Sequence, residues 1–237
     1  MDKKAWIIQE FFKYGLEISS LQAEQFEKYF EILVDTNQHL NLTAITEFEE
    51  VVVKHFIDSA LLIKYFDLPE GASLIDVGTG AGFPGLPLKI MRPDLRITLL
   101  DSLNKRLNFL NTVIETLSLK EIICVHARAE DGGQNKALRE QFDYAVSRAV
   151  SQLNVLLEYC TPFIKIGGTF IAYKSKKLTE ELEDSKKAFH VMGCQLKEVI
   201  PYTLGDHENV YAFIVKHQKT GKNYPRKAGT ATKNPIK

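Results

Sequence analysis

Three glycines alternating with small residues directly after a short apolar segment constrain this chain more than any other feature. Ser73-Leu74-Ile75-Asp76-Val77 is followed by Gly78-Thr79-Gly80-Ala81-Gly82-Phe83-Pro84-Gly85. The apolar segment lies between Pro69-Glu70-Gly71 and the glycines, as a buried strand should. The glycines leave so little side-chain bulk that a ligand can reach the main chain and the N-terminus of the next helix. Pro84 and Pro87 fit the first turn of that helix, where amide hydrogens have no intrahelical acceptor.

The rest of the chain is consistent with an open α/β sheet. Arg96 to Leu100, Glu121 to Val125, Phe142 to Val146 and Thr169 to Tyr173 read as further strands. Helices alternate with them: one carries Leu103, Leu107, Leu110, Ile114 and Leu117 on a single face, a second runs near Leu153–Cys160, and a third is expected over Leu178–Met192. Gln195–Ile200 and Val210–Val215 are too close in sequence for a crossover helix and should pair antiparallel. The predicted fold is a doubly wound, mostly parallel sheet ending in an antiparallel hairpin strand, with ligands bound beyond the carboxyl ends of its strands. Before residue 71 the period is helical. Phe26, Phe30, Leu33, Asn37 and Leu40 share one face, as do Val52, Phe56, Ala60 and Ile63, and a shorter helix holds Trp6, Ile7, Phe11 and Tyr14. Residues 1–70 therefore read as an N-terminal helical extension, 71–217 as the sheet domain and 218–237 as a tail.

Composition narrows the function classes. The 30 basic residues balance the 30 acidic ones, so no global field advertises nucleic acid. That balance conceals an acidic head and a basic tail: residues 1–50 carry four basic and ten acidic side chains, while residues 216–237 carry seven basic and no acidic ones. The tail reads either as a solvated extension or as a phosphate-contacting arm, and its glycines and prolines argue against a regular helix. Cys124, Cys160 and Cys194 lack metal or disulfide spacing. No signal peptide or membrane span is readable, so a cytoplasmic location is expected.

Two cofactors suit the glycine loop. Gly80-x-Gly82-x-x-Gly85 matches the dinucleotide fingerprint, with Asp101 following at the end of the second strand, and supports an NAD-dependent oxidoreductase. The arrangement Asp76-x-Gly78-x-Gly80-x-Gly82 is similar instead to the loop of class I methyltransferases, where Asp101 would accept from both ribose hydroxyls of S-adenosylmethionine. Asp101 serves either reading, or caps the helix after it. Arg128-Ala129-Glu130, Ser147-Arg148-Ala149 and Lys174 follow the third, fourth and fifth strands, on the side where a ligand would sit. His55 and Asp58 share a helical face, either as a core histidine held by a carboxylate or as part of the site's mouth with Asp58 orienting His55. Asn37 and Asn41 either order a loop over the site or form an inert turn.

Together these motifs resemble one family. Asn37-Gln38-His39-Leu40-Asn41-Leu42-Thr43, His55-Phe56-Ile57-Asp58-Ser59, the glycine loop, Ala127-Arg128-Ala129-Glu130, Ser147-Arg148-Ala149 and Tyr224-Pro225-Arg226-Lys227-Ala228-Gly229-Thr230 are similar to the bacterial small-subunit rRNA methyltransferase G family, also called the glucose-inhibited division protein B family. The likeness runs from about residue 5 to the end, and Ala231 stands where that family's tail usually has a proline.

The resemblance implies a class I methyltransferase (Rossmann-like) fold that transfers a methyl group from S-adenosyl-L-methionine to N7 of a guanosine in 16S rRNA, guanosine 527 in reference rRNA numbering. It implies a cytoplasmic, usually monomeric enzyme without metal or membrane, acting on 16S rRNA within the small ribosomal subunit or an assembly intermediate. Carried over by similarity, the cofactor residues are Gly78 and Phe83, Asp101, Ser102 and Leu103, Ala129 and Glu130, and Arg148. Asp76, Gly80 and Gly82 join them from the loop pattern, and residues 71–217 become the adenosylmethionine-binding domain. Arg148 is expected to align the substrate base; Asn37, His55, Lys174, Arg226 and Lys227 are expected to meet RNA. A non-catalytic ribosome- or RNA-binding module with a vestigial pocket is the reading from another class.

Overall fold

The apolar segment Ser73–Val77 is β1, the central strand of a seven-stranded sheet in a computed structural model that describes residues 2–237. The other strands are β2 (Arg96–Asp101), β3 (Ile122–His126), β4 (Phe142–Arg148), β5 (Ile164–Ser175), β6 (Cys194–Leu204) and β7 (His207–Lys216). Their order is β3-β2-β1-β4-β5-β7-β6, parallel from β3 to β5, with β7 antiparallel to both neighbours. Strand order reverses between β1 and β4, which opens a crevice past their carboxyl ends. The hairpin strands outrun their apolar cores because a two-residue turn at Gly205-Asp206, with Gly205 at φ 56°, lets them zip fully.

Helices cover both faces. On the first lie α1 (Lys3–Lys13), α2 (Ser20–Leu40), α3 (Phe48–Val51), a π-helical segment (Val52–Ile57), α4 (Asp58–Ala60) and α5 (Leu62–Tyr65), joined later by α6 (Gly85–Met91) and α7 (Asn104–Thr116). Ser19 and Gln22 cap α2 reciprocally, and its buried stripe is Ala23, Phe26, Tyr29 and Leu33. The helix expected across residues 52–63 forms, but the π-helical segment interrupts its period at His55. Ile7, Phe11, Phe26 and Phe56 share one core cluster with Leu86, Leu99, Leu110 and Phe213, so the helical segment and the sheet pack as one body.

The second face carries α8 (Ala129–Gln134), α9 (Leu153–Cys160), α10 (Leu178–Asp184), α11 (Lys186–Met192) and α12 (Thr230–Lys233). The expected Leu178–Met192 helix divides at Ser185, whose hydroxyl donates back to Glu181 O at 2.5 Å and competes with the helical ladder. The basic tail is not an extended arm. Ala231 and Ile236 join the apolar cluster of this face, and Arg139 donates to Tyr224 O and Thr220 O at 2.8 Å each. Seven cations and no acid suggest a solvated segment, but its apolar residues and carbonyls find partners on the body. Among the described residues, no helix is long and apolar enough to cross a membrane.

Candidate active site

The glycine loop is held from beneath. Asp76, fully buried, accepts from Thr79 Oγ1 at 2.7 Å and from Gly85 N at 2.9 Å, closing the loop onto the start of α6. Tyr29 Oη donates to Ala81 O from α2. A Cβ at Gly82 would lie 2.5 Å from Leu86 Cδ1 and 2.6 Å from Tyr29 Oη, at φ +99°. Asp76 and Gly82, expected among the cofactor contacts, therefore face the core. They shape the loop, whereas Gly78, Gly80 and Ala81 line the cavity above it.

Burial pushes the Asp76 carboxyl up to about 7, although the Thr79 and Gly85 hydrogen bonds pull it down, and its Oδ1 has no partner. Asp76→Ala should leave two buried donors unmet at roughly 1–3 kcal/mol each and weaken cofactor binding, whereas Asp76→Asn, which keeps an acceptor oxygen, should restore most of the loss. Between about pH 4 and pH 7 the folded wild type holds the Asp76 proton and the unfolded chain does not, so this group lowers stability as pH rises. Thermal unfolding across that window should show stability climbing more with pH in Asp76→Asn than in wild type; parallel curves would place the Asp76 proton elsewhere.

The cavity over the loop has a volume of about 580 Å³. Asp101, 3% exposed at the end of β2, takes Gly80 N on Oδ2 and Leu103 N on Oδ1, both at 2.9 Å, with Arg106 Nη1 at 3.4 Å. Those three donors leave the carboxylate with acceptor capacity. Ser102 lines the cavity, but Leu103 is exposed and contributes only its backbone N–H to Asp101. Ala129 and Glu130 line the wall at the start of α8, and Glu130 Oε1 accepts from Gly229 N at 2.8 Å.

Arg148, His55 and Phe83 form the opposite wall. The His55 ring stacks on Phe83 with centroids 4.6 Å apart, and the Arg148 guanidinium lies 5.1 Å from the Phe83 ring centre. Arg148 Nη1 donates to Asp58 Oδ2 at 2.5 Å and to Lys54 O at 3.0 Å, and Nη2 meets His55 Nδ1 at 3.3 Å. The arginine expected to align the substrate base is thus largely engaged, because it ties β4 to the π-helical segment. Asp58 orients Arg148, with Tyr202 Oη on its other oxygen at 2.9 Å, rather than His55. His55 Nδ1 lies between Lys54 O at 3.2 Å and Arg148 Nη2 at 3.3 Å, and Nε2 shares a hydrogen bond with Thr43 Oγ1 at 2.7 Å. Burial and the neighbouring Arg148 lower His55 to about 4, so the ring stays neutral near pH 7. Asn37 stands behind this wall: its side chain bonds Leu42 N, Thr43 N and Thr43 O, fixing the loop that brings Leu42 and Thr43 to the cavity.

Three expected RNA contacts lie outside the cofactor cavity. Lys174 donates to Ser151 O at 3.0 Å and pairs with Glu181 at 2.6 Å beside a second, smaller cavity. Arg226 is committed to Glu158 and is no adaptable phosphate contact; the acid is buried and needs a counter-charge. Lys227 is exposed.

The GidB family, described as rRNA small subunit methyltransferase G, matches residues 22–210. The ribosomal RNA small subunit methyltransferase G of Clostridium botulinum (strain Eklund 17B / Type B) is 51% identical over 225 residues, 94% of each chain. The chain belongs to the rRNA small subunit methyltransferase G family. The corresponding protein of Lachnoclostridium phytofermentans is 48% identical over 238 residues, covering 100% of this chain and 98% of its own. Among solved structures, M. jannaschii TYW2 in complex with AdoMet shares the fold with a TM-score of 0.53 at 17% identity, over 67% of this chain and 76% of its own. A SAM dependent methyltransferase from Aquifex aeolicus does so with a TM-score of 0.52 at 20% identity, over 70% and 93%.

Family membership makes this a methyltransferase and sets aside the oxidoreductase and the vestigial pocket; S-adenosylmethionine is the methyl donor that the sequence resemblance implies. The cavity fits that group. Asp101 keeps one acceptor site, on Oδ1, for a ribose hydroxyl, and the wall formed by Gly78, Gly80 and Ala81 is free of bulk. Sequence reasoning missed Tyr29, Thr43, Tyr159, Thr232 and Val150, which support or line the site from other elements. Among these only Thr43 lay in a quoted motif.

Proposed function

We propose that the protein transfers a methyl group from S-adenosylmethionine to N7 of a guanosine in 16S rRNA, the family resemblance indicating guanosine 527. It acts as a cytoplasmic monomer on rRNA in the small subunit or an assembly intermediate. The observation that carries this reading is a pair of adjoining cavities. The second, of about 310 Å³, shares Arg148 and Ala149 with the cofactor cavity, so a base held there can meet the methyl group. Ala149, a non-glycine residue at φ +57°, lies at the junction.

The chemistry asks little of the protein as an acid or base. When bound, S-adenosylmethionine supplies an electrophilic methyl carbon on a sulfonium. N7 of guanine offers a lone pair and has no proton to lose, so alignment and exclusion of water suffice. Tyr173 and Tyr202 give the second cavity flat apolar walls, while Asn209 and Ser175 offer hydrogen bonds to a base edge. Both cations at its border are paired, Arg148 with Asp58 and Lys174 with Glu181, so positive charge developing on the purine meets little net repulsion. Arg148 aligns the base through its remaining N–H groups and by holding the β4 end rigid. Lys227 is the tail's candidate for phosphate contact.

Labelled methyl donor, supplied with 16S rRNA, partly assembled particles and mature small subunits from cells lacking the enzyme, tests this. Nucleoside analysis should find the label in 7-methylguanosine on at least one substrate. Label on a ring carbon, an exocyclic amine or a ribose oxygen would overturn the N7 assignment.

A further inference from the structure

Two buried carboxylates, Glu158 and Glu130, take partners from the far end of the chain. Glu158, on α9 and 0% exposed, receives Arg226 Nε at 2.9 Å on Oε1 and Arg226 Nη2 at 2.7 Å on Oε2. The backbone N–H of Arg226 adds a third bond at 2.7 Å. Such a fork-to-fork pair, supported by a main-chain donor, fixes the direction of the chain as well as its position. Three residues later Gly229 N donates to Glu130 Oε1, and Gly229 and Thr232 line the larger cavity. Gly133, on α8, leaves no room for a side chain: a Cβ there would be 2.8 Å from Pro225 Cγ. The tail is thus seated on α8 and α9 at several points, and one of them, Gly229 on Glu130 at the start of α8, is part of the cavity wall.

We infer that residues 224–232 form a strap completing the cofactor site, fastened by Arg226 to Glu158, and that Arg226 and Glu158 are positioning residues for S-adenosylmethionine. The strap touches Glu130 after β3, across the cavity from the glycine loop, so it borders the nucleoside half of the cofactor. A segment seated by discrete fastenings contributes to affinity through the fraction of molecules in which it is closed. Loosening it lowers apparent affinity by the factor by which the closed state is depleted. The inference rests on the cofactor reading above. It also moves the tail's arginine from RNA contact to cofactor binding.

Calorimetric titration with adenosylhomocysteine, on the full chain, is the test. Arg226→Ala and Glu158→Gln should each raise its Kd by roughly tenfold as the closed fraction falls, and Arg226→Lys should lie between them and wild type. The double variant should be no worse than the poorer single one, because both break the same pair. In turnover, the cofactor concentration needed should rise while the rate at saturating cofactor stays near wild type, and the salt dependence of RNA binding should not change. In case a variant fails to fold, hydrogen exchange on the wild-type protein gives an independent readout: adenosylhomocysteine should slow exchange at the amides of Arg226 and Gly229. Unchanged exchange there, or wild-type affinity in Arg226→Ala with weakened RNA binding, would overturn the strap while leaving the cofactor site intact. Absence of adenosylhomocysteine binding by the wild-type chain would overturn both.

Discussion

Arg148→Ala should lower the unfolding midpoint sharply and abolish methyl transfer even at saturating RNA and cofactor. The side chains of Arg148 and Asp58 are 14% and 10% exposed, and removing one partner strands the other charge in a poorly solvated site. Breaking such a pair from one side costs roughly 3–5 kcal/mol. Tyr202 Oη remains on Asp58 Oδ1, which favours the lower end of that range. In a chain of this size about 3 kcal/mol corresponds to a fall of roughly 6–12 °C. A second variant separates stability from catalysis. Asp58→Asn combined with Arg148→Gln removes both charges while keeping hydrogen-bonding side chains, and should regain most of the lost stability. Its transfer rate should stay depressed, because the guanidinium that stiffens the junction between the two cavities is gone. If rate returns together with stability, Arg148 is a structural strut and has no part in aligning the base.

The glycine loop gives the second large effect and an internal control. Gly82→Ala places a methyl group against Leu86 and Tyr29 in a left-handed backbone conformation. Left-handed strain of roughly 1–2 kcal/mol and overpacking of roughly 1–3 kcal/mol add to a loss of about 2–5 kcal/mol. At Gly80, φ +60°, an added Cβ would meet nothing closer than Gly78 O at 4.0 Å, so Gly80→Ala meets backbone strain alone. Its methyl group would project at the cavity that Gly80 lines, cutting adenosylhomocysteine affinity more than stability. Thermal unfolding with and without adenosylhomocysteine distinguishes the two effects. Equal melting of Gly82→Ala and wild type would show that the loop is not wedged against the core.

The contrast between these residues marks how far the sequence could be read. Glycines 78, 80 and 82 look equivalent in the chain, since each repeats a small residue every second position. Only packing separates them, because α2 and α7 close on Gly82, Val150 stands against Gly78, and Gly80 is left open. The same holds for acids: Asp76 and Asp101 both end apolar strands, yet one is sealed beneath the loop and the other faces the cavity.

Periodicity, turn chemistry and the glycine cluster act within a few residues, so the strands, the doubly wound order of elements, the loop and Asp101 were legible from the chain itself. Motif likeness carried the family. What each charged side chain pairs with was decided by tertiary structure. Arg148 meets Asp58 from 90 residues away, Arg226 meets Glu158 from 68, Gly229 meets Glu130 from 99 and Tyr202 meets Asp58 from 144. No local pattern encodes such partners. A buried charge takes whichever counter-charge the packed elements bring within reach, because leaving it unpaired away from water costs several kcal/mol, of order 3–5 when one partner is removed. That cost turns a basic tail, which composition alone would leave in solvent, into a wall of the site.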